Sequence, residues 1–233
     1  MIPIKNESAW RGTSDCRNCG IRDMVLFADL NEQDFNSIHA PIDDLIYQPG
    51  QTLYQASDTA VGIFTLRKGM LKLVRVTEDG RERVVRVLVP GDVVGLEALA
   101  TGRYDSQAIA LSEVLLCRIP LEVIQQLGSN SPRLHRKLME KWQSALKLAD
   151  DWLADLNFGT ARQRVQHFIR KMYEISDDGT ATLFARDDMG AMMDLKLETV
   201  SREVTALVRA GVIEPIDKHG RHYRVISPDL LNG

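Results

Sequence analysis

The apolar pattern of this 233-residue chain changes period at Pro120, and that change sets the order of its parts. From Leu45 to Ile119 the sequence reads as short β-favouring segments: Leu53-Tyr54, Val61 to Leu66, Met70 to Val76, Arg83 to Val89, Val93-Val94 and Glu113 to Ile119. Turn-forming residues separate them at Pro49-Gly50, Lys68-Gly69, Asp79-Gly80, Gly91-Asp92 and Thr101-Gly102, the spacing of a sandwich or barrel. In Leu71 to Val76 and Arg81 to Val87 apolar and charged residues partly alternate, as in strands with one wet face. A small antiparallel β-roll is the simplest structure with that pattern. Beyond Pro120 the spacing is helical, so strands precede helices and the fold class is α+β.

Ser131-Pro132 supplies a serine cap and a proline for the first turn, and nothing breaks the helix until Asn157-Phe158-Gly159. Within it Leu134, Leu138, Trp142, Ala145, Ala149, Trp152 and Leu156 recur at steps of three and four, a coiled-coil seam of about three heptads. The same stripe would also serve a helix packed on its own domain. Length favours a homodimer, because about 26 residues span roughly 39 Å, more than a lid on a β-roll needs. Ala145 and Ala149 leave the centre of the seam uncharged, which predicts a dimer without any cofactor. A second helix, from about Thr160 to Ile175, places Val165, Phe168, Ile169 and Met172 on one face, and Ser176 to Gly179 closes it.

The segment Arg186 to Gly211 is the most informative. It splits into two helices about a turn at Asp194 to Leu197. Met189, Met192 and Met193 in the first, and Val200, Val204, Leu207 and Val208 in the second, build the core between them. The start of the second helix keeps Glu198, Thr199, Ser201, Arg202 and Thr205 outward, a polar set suited to base edges in a major groove. Arginine can hold guanine O6 and N7 together, glutamate accepts from cytosine N4, serine serves base or phosphate, and apolar Leu197 suits a thymine methyl. Downstream, Val212 to Ile216 and Tyr223 to Ile226 read as strands of a hairpin wing. Its Lys218, Arg221 and Arg224 lie where phosphates would be.

Charge qualifies this reading. The whole chain is formally −3, and residues 160–233 hold 11 Lys plus Arg against 11 Asp plus Glu. Any DNA contact must therefore come from a local basic surface, with modest non-specific binding.

The order of β-roll, long dimer helix and winged helix-turn-helix resembles the CRP/FNR superfamily of bacterial transcription regulators over nearly the whole chain. The run Leu197-Glu198-Thr199-Val200-Ser201-Arg202 is similar to the E-x-x-S-R recognition signature of its FNR branch. There the resemblance implies that Glu198, Ser201 and Arg202 specify half-sites of the TTGAT type. Pro49 to Leu53 and Pro90 to Gly95 also match turns of the family's β-roll. The implied organisation is an N-terminal cysteine-containing segment at 1–25 and a cyclic-nucleotide-binding-like β-roll (jelly roll) at 26–130. A dimerisation helix follows at 131–158, then a winged helix-turn-helix at 159–233. Double-stranded DNA, a second copy of the chain and RNA polymerase are the implied partners.

The family's sensing chemistry carries over less completely. Its cyclic-nucleotide binders hold the phosphate with an Arg-Ser pair, whereas Asp105 precedes Ser106 here. An aspartate repels phosphate, which argues against cyclic-nucleotide control. FNR-type proteins bind a [4Fe-4S] cluster through three N-terminal cysteines and one from the β-roll. Cys16 and Cys19 resemble the first pair and Cys117 the distant ligand, but Val25 or Phe27 stands where the third N-terminal cysteine belongs. Three thiolates with a fourth ligand from Asp15, Asp23, Asp29, a histidine or solvent are one reading. A dithiol switch is another. The third has no sensor role, with Cys117 a small buried hydrophobe.

The N-terminus has no apolar secretory core and no apolar run reaches the roughly 18 residues of a membrane span, so a cytoplasmic location is expected. An enzyme is not: no G-x-S-x-G, H-E-x-x-H or phosphate-cradling glycine loop is present. His39, His135, His167, His219 and His222 have no ligand spacing. The remaining rival is a ligand-binding or protein-interaction module whose C-terminal helices dock to protein rather than DNA.

Overall fold

The computed structural model describes residues 26, 42–176, 178–218 and 220–231, with the side chains of 129 and 130 left aside. Cys16, Cys19, the aspartates near them and His219 lie outside the described residues. Two compact units are present, residues 1–75 with 86–147 and residues 76–85 with 148–233.

The first unit is built on eight strands, β1 (Asp43–Tyr47), β2 (Thr52–Tyr54), β3 (Gly62–Lys68), β4 (Leu71–Val76), β5 (Glu82–Leu88), β6 (Val93–Val94), β7 (Gln107–Ala110) and β8 (Val114–Pro120). They form two four-stranded sheets, ordered β1-β8-β3-β6 and β2-β7-β4-β5. Between them lies an apolar interior of Tyr54, Phe64, Leu66, Leu71, Leu88 and Leu116. In β7 alternate residues are buried and alternate residues reach towards solvent, as in a strand with one face on the core. A short helix α1 (Ala98–Thr101) follows β6, and α2 (Leu121–Asn130) follows β8. The outer face of the first sheet packs Ile63, Cys117 and Ile119 against Val123, Ile124 and Leu127 of α2 and against Leu134 and Leu138.

Those two leucines open the long helix α3 (Pro132–Asn157). Ser131 caps it, its Oγ accepting from Leu134 N–H at 3.4 Å. Burial along α3 corrects the seam drawn from the sequence. Leu134 and Leu138 are buried in the β-roll's own core, with Ala145 packed against it. Trp152 and Leu156 are buried in the second unit, Trp152 meeting the edge of Phe168 at 6.3 Å. Side chains buried within one chain have no surface to give a partner, so Leu134, Leu138, Trp152 and Leu156 are not interface residues, while half-buried Ala145 keeps part of its surface. The exposed stripe is Met139 (50% exposed), Trp142 (38%), Leu146 (65%) and Leu153 (58%), with half-buried Ala149 completing steps of three and four. Of the predicted seam, Trp142, Ala145 and Ala149 remain.

The second unit continues from Gly159, whose φ of +87° turns the chain, and Thr160, which caps α4 (Ala161–Ile175) in a reciprocal box with Gln163. The predicted face Val165, Phe168, Ile169 and Met172 is buried. Then come β9 (Thr180–Thr182), α5 (Arg186–Met193), α6 (Leu197–Arg209), β10 (Ile213–Pro215) and β11 (His222–Val225). A 3-10 turn, Pro228–Leu231, closes the described chain. The sheet order β10-β11-β9 makes the wing three-stranded rather than a free hairpin.

Candidate nucleic-acid interface

Helices α5 and α6 are set by a tight junction. Asp194 ends α5 in the left-handed region, at φ +53°, and Leu195 N–H donates to Gly190 O at 3.0 Å. A Cβ on Gly190 would lie 2.5 Å from Leu195 O, so only glycine admits this close return of the chain. From α4, Arg164 Nη1 donates to Met193 O at 2.8 Å and satisfies a carbonyl at the end of α5. The sequence reading passed over both residues; a glycine inside a helical pattern was the available signal for the first.

With the junction fixed, α6 presents two faces. Val200, Val204 and Leu207 are buried. Leu197, Glu198, Arg202 and Thr205 are exposed, while Thr199 and Ser201 are half-buried at the edge of the same face. Thr205 Oγ1 donates to the Ser201 backbone O at 2.8 Å, so the Thr205 hydroxyl proton is held by its own helix. Arg202 Nε donates to Glu203 Oε1 at 3.2 Å, a contact whose arginine side is 70% exposed. Such a solvent-facing pair holds the guanidinium weakly and releases it to a better acceptor. The first turn of α6 therefore carries a carboxylate, a hydroxyl and a guanidinium outward from one rigid helix.

The wing adds cations. Lys218 and Arg221 are exposed in the loop between β10 and β11. Asp217 shapes that loop, accepting from Arg221 N–H at 3.0 Å, His222 N–H at 3.2 Å and His222 Nδ1 at 2.5 Å. The His222 side-chain hydrogen bond, followed by the two backbone ones, holds the Asp217 carboxyl down at about 2. Arg224 faces Glu214 at 3.9 Å with both side chains exposed, a pair too loose to take up the arginine's charge.

In the β-roll Tyr104 fills the interior, stacked on Tyr54 with ring centroids 3.7 Å apart and donating its hydroxyl to Gly62 O at 2.7 Å. Asp105 is exposed beside buried Ser106, with no arginine at that position to hold a phosphate. Cys117 is 7% exposed, in register with Asp44 on β1 and Thr65 on β3. Its Sγ lies 3.5 Å from Asp44 Oδ1 and 3.8 Å from Arg67 Nη1, where the arginine also grips Asp44. The sulfur thus accepts from the Arg67 guanidinium and donates to the Asp44 carboxylate, which is a thiol held between a cation and an anion. Among the described residues no three His, Cys, Asp or Glu side chains gather as a metal site.

Residues 45–131 match the family model of the cyclic nucleotide-binding domain, and residues 163–233 match that of the Crp-like helix-turn-helix domain. The chain is 27% identical over 227 residues to the fumarate nitrate reduction regulatory protein of Klebsiella oxytoca, covering 93% of this chain and 88% of that one. It is 27% identical over 229 residues to the anaerobic regulatory protein of Haemophilus influenzae, covering 94% and 85%. Among solved structures it is similar to FixK2 from Bradyrhizobium japonicum, with a TM-score of 0.73 at 22% identity over 82% of this chain and 96% of that one.

Proposed function

The chain belongs to the CRP/FNR family of DNA-binding transcription regulators, and from that premise we propose that it acts in the cytoplasm as a homodimer reading a palindrome of TTGAT-type half-sites. One observation carries the reading: Glu198, Ser201 and Arg202 face outward from the first turns of α6, with Lys218 and Arg221 exposed on the wing of the same unit. A dimer presents that face twice, one recognition helix for each half-site. The apolar stripe Met139, Trp142, Leu146, Ala149 and Leu153 supplies the seam, and its 3-4 spacing is that of a two-stranded coil. Relatives that are regulators do not favour the rival reading, in which the C-terminal helices dock to protein. They place the chain with regulators rather than enzymes. RNA polymerase is the further partner this reading implies.

The signal is proposed to be redox chemistry at sulfur, in keeping with relatives named for anaerobic regulation and for fumarate and nitrate reduction. Cys16, Cys19 and Cys117 would hold an iron-sulfur cluster, which supplies sensitivity to oxygen or nitric oxide when bound, or would act as thiols.

Alanine at Glu198 and at Arg202 tests the DNA reading. Each loses a base contact of about 1–3 kcal/mol, so each should weaken binding to the palindrome roughly tenfold or more. Far-ultraviolet circular dichroism and the melting temperature should stay as in the parent. Unchanged affinity for the palindrome in both variants would sink the reading.

A further inference from the structure

Arg186 opens α5, the first helix of the reading pair, and its guanidinium bridges that helix and the wing. Nη2 donates to the Tyr223 hydroxyl at 3.0 Å and to Gly220 O at 3.3 Å. Nη1 meets Met189 Sδ at 3.4 Å, and the guanidinium carbon lies 5.9 Å from the centre of the Tyr223 ring. Tyr223 is buried in β11, and Gly220 belongs to the wing loop, in the left-handed region at φ +62°. A single half-buried cation thus ties the first helix to both the strand and the loop of the wing.

The loop has few other anchors to the body of the unit. Asp217 binds it internally. Leu183 N–H donates to Arg221 O at 2.7 Å, holding the backbone just beyond Gly220. Lys218 and Arg221 flank Gly220 and keep their side chains exposed. We propose that Arg186 is a positioning residue: it straps the wing to the helix pair through Tyr223 and Gly220, and so sets where Lys218 and Arg221 meet the phosphate backbone. A planar fork shared between a hydroxyl, a carbonyl and a ring face does this, and a lysine, a point charge on a flexible stem, does not. An arginine that gripped a phosphate itself would be largely replaceable by lysine, since the charge is what a phosphate reads. The proposal rests on the DNA-binding reading for its consequence, though not for the strap itself.

The test uses the full chain with Arg186→Lys, Arg186→Gln and Tyr223→Phe. Amide hydrogen exchange over residues 216–222 is read without DNA, and affinity is read on a palindrome of TTGAT-type half-sites. Both arginine variants should speed wing exchange, and Tyr223→Phe, which removes one oxygen from a buried ring, should do so to a smaller degree. Binding should weaken about tenfold in Arg186→Gln, with no rescue in Arg186→Lys. Exchange in α4 should stay as in the parent, which separates a loosened wing from a loosened fold. Wing exchange that does not change in Arg186→Gln overturns the strap. So does parental binding by Arg186→Lys and Tyr223→Phe alongside weak binding by Arg186→Gln, the pattern of a direct phosphate contact. If the parent ignores the palindrome while the variants still free the wing, the DNA reading falls and the strap stands.

Discussion

Asp217 shows how one side chain organises a loop too short to have a core. Its carboxylate accepts two backbone N–H groups and the His222 ring, so the turn between β10 and β11 closes around a negative charge. These contacts favour the ionised form, and its pKa falls from 3.8 to about 2. For a carboxyl depressed on folding, the stabilisation is fully present above the unfolded value and is lost as pH falls through the folded one. The window is therefore acid, between about 4 and 2, and the carboxylate stays charged throughout the neutral range. A carbon-detected NMR titration of Asp217 should give a midpoint near 2 in the folded protein. A midpoint at the ordinary carboxylate value would mean that the wing loop is not closed as described. Gly190 works at the same scale by absence: the missing Cβ lets Leu195 O approach where a methyl would stand 2.5 Å away.

Helix α3 is an element whose two faces do different work, and the sequence alone divides them poorly. Its apolar residues cover more than one stripe, so a run of three-and-four steps can be drawn through Leu134, Leu138, Trp142, Ala145, Ala149, Trp152 and Leu156 or through Met139, Trp142, Leu146, Ala149 and Leu153. Only burial tells them apart: Leu134, Leu138, Trp152 and Leu156 are taken up inside the chain, and the second set is largely exposed. Leu146→Glu should therefore yield a monomer by light scattering at micromolar concentration, because it places charge at the centre of the exposed stripe. Leu138→Ala should leave the dimer mass alone and lower stability by about 2–5 kcal/mol, as a cavity in the β-roll core does. A dimer that survives Leu146→Glu and is lost in Leu138→Ala would restore the first stripe. Elsewhere the elements that read clearly were those with a local signal. The α3 ends at Ser131 and Gly159 and the buried face of α4 are of that kind. Helix α2 follows a strand directly with no cap to announce it, and β9 is three residues long and defined by its pairing with β11. Both depend on distant partners that a local pattern does not contain.

At the scale of the molecule, the residues proposed to read DNA and the residues proposed to sense are in separate compact units, the first on α6 and the wing, the second at Cys117 on β8. The reading face was legible because it is one helical turn with a polar side and an apolar side. The strap behind it was not, because Arg186 and Tyr223 are 37 residues apart. The proposed sensor rests in the sequence on three cysteines in family register, one short of the set. Cys117 adds physical content, since its sulfur sits against the Arg67 guanidinium and the Asp44 carboxylate. A sulfur-based signal predicts that DNA affinity differs between protein purified without oxygen and the same protein after exposure to air. Serine at Cys16 or at Cys117 should abolish that difference while leaving binding itself intact, because neither residue faces DNA in this reading. Equal affinity in both states, with the parent binding normally, would remove the cysteines from regulation. Where the difference is found, absorption with iron and sulfide analysis separates its two origins. Brown protein with about four irons per chain carries a cubane cluster; colourless protein whose thiols are lost to air and restored by a dithiol reductant works by thiol exchange.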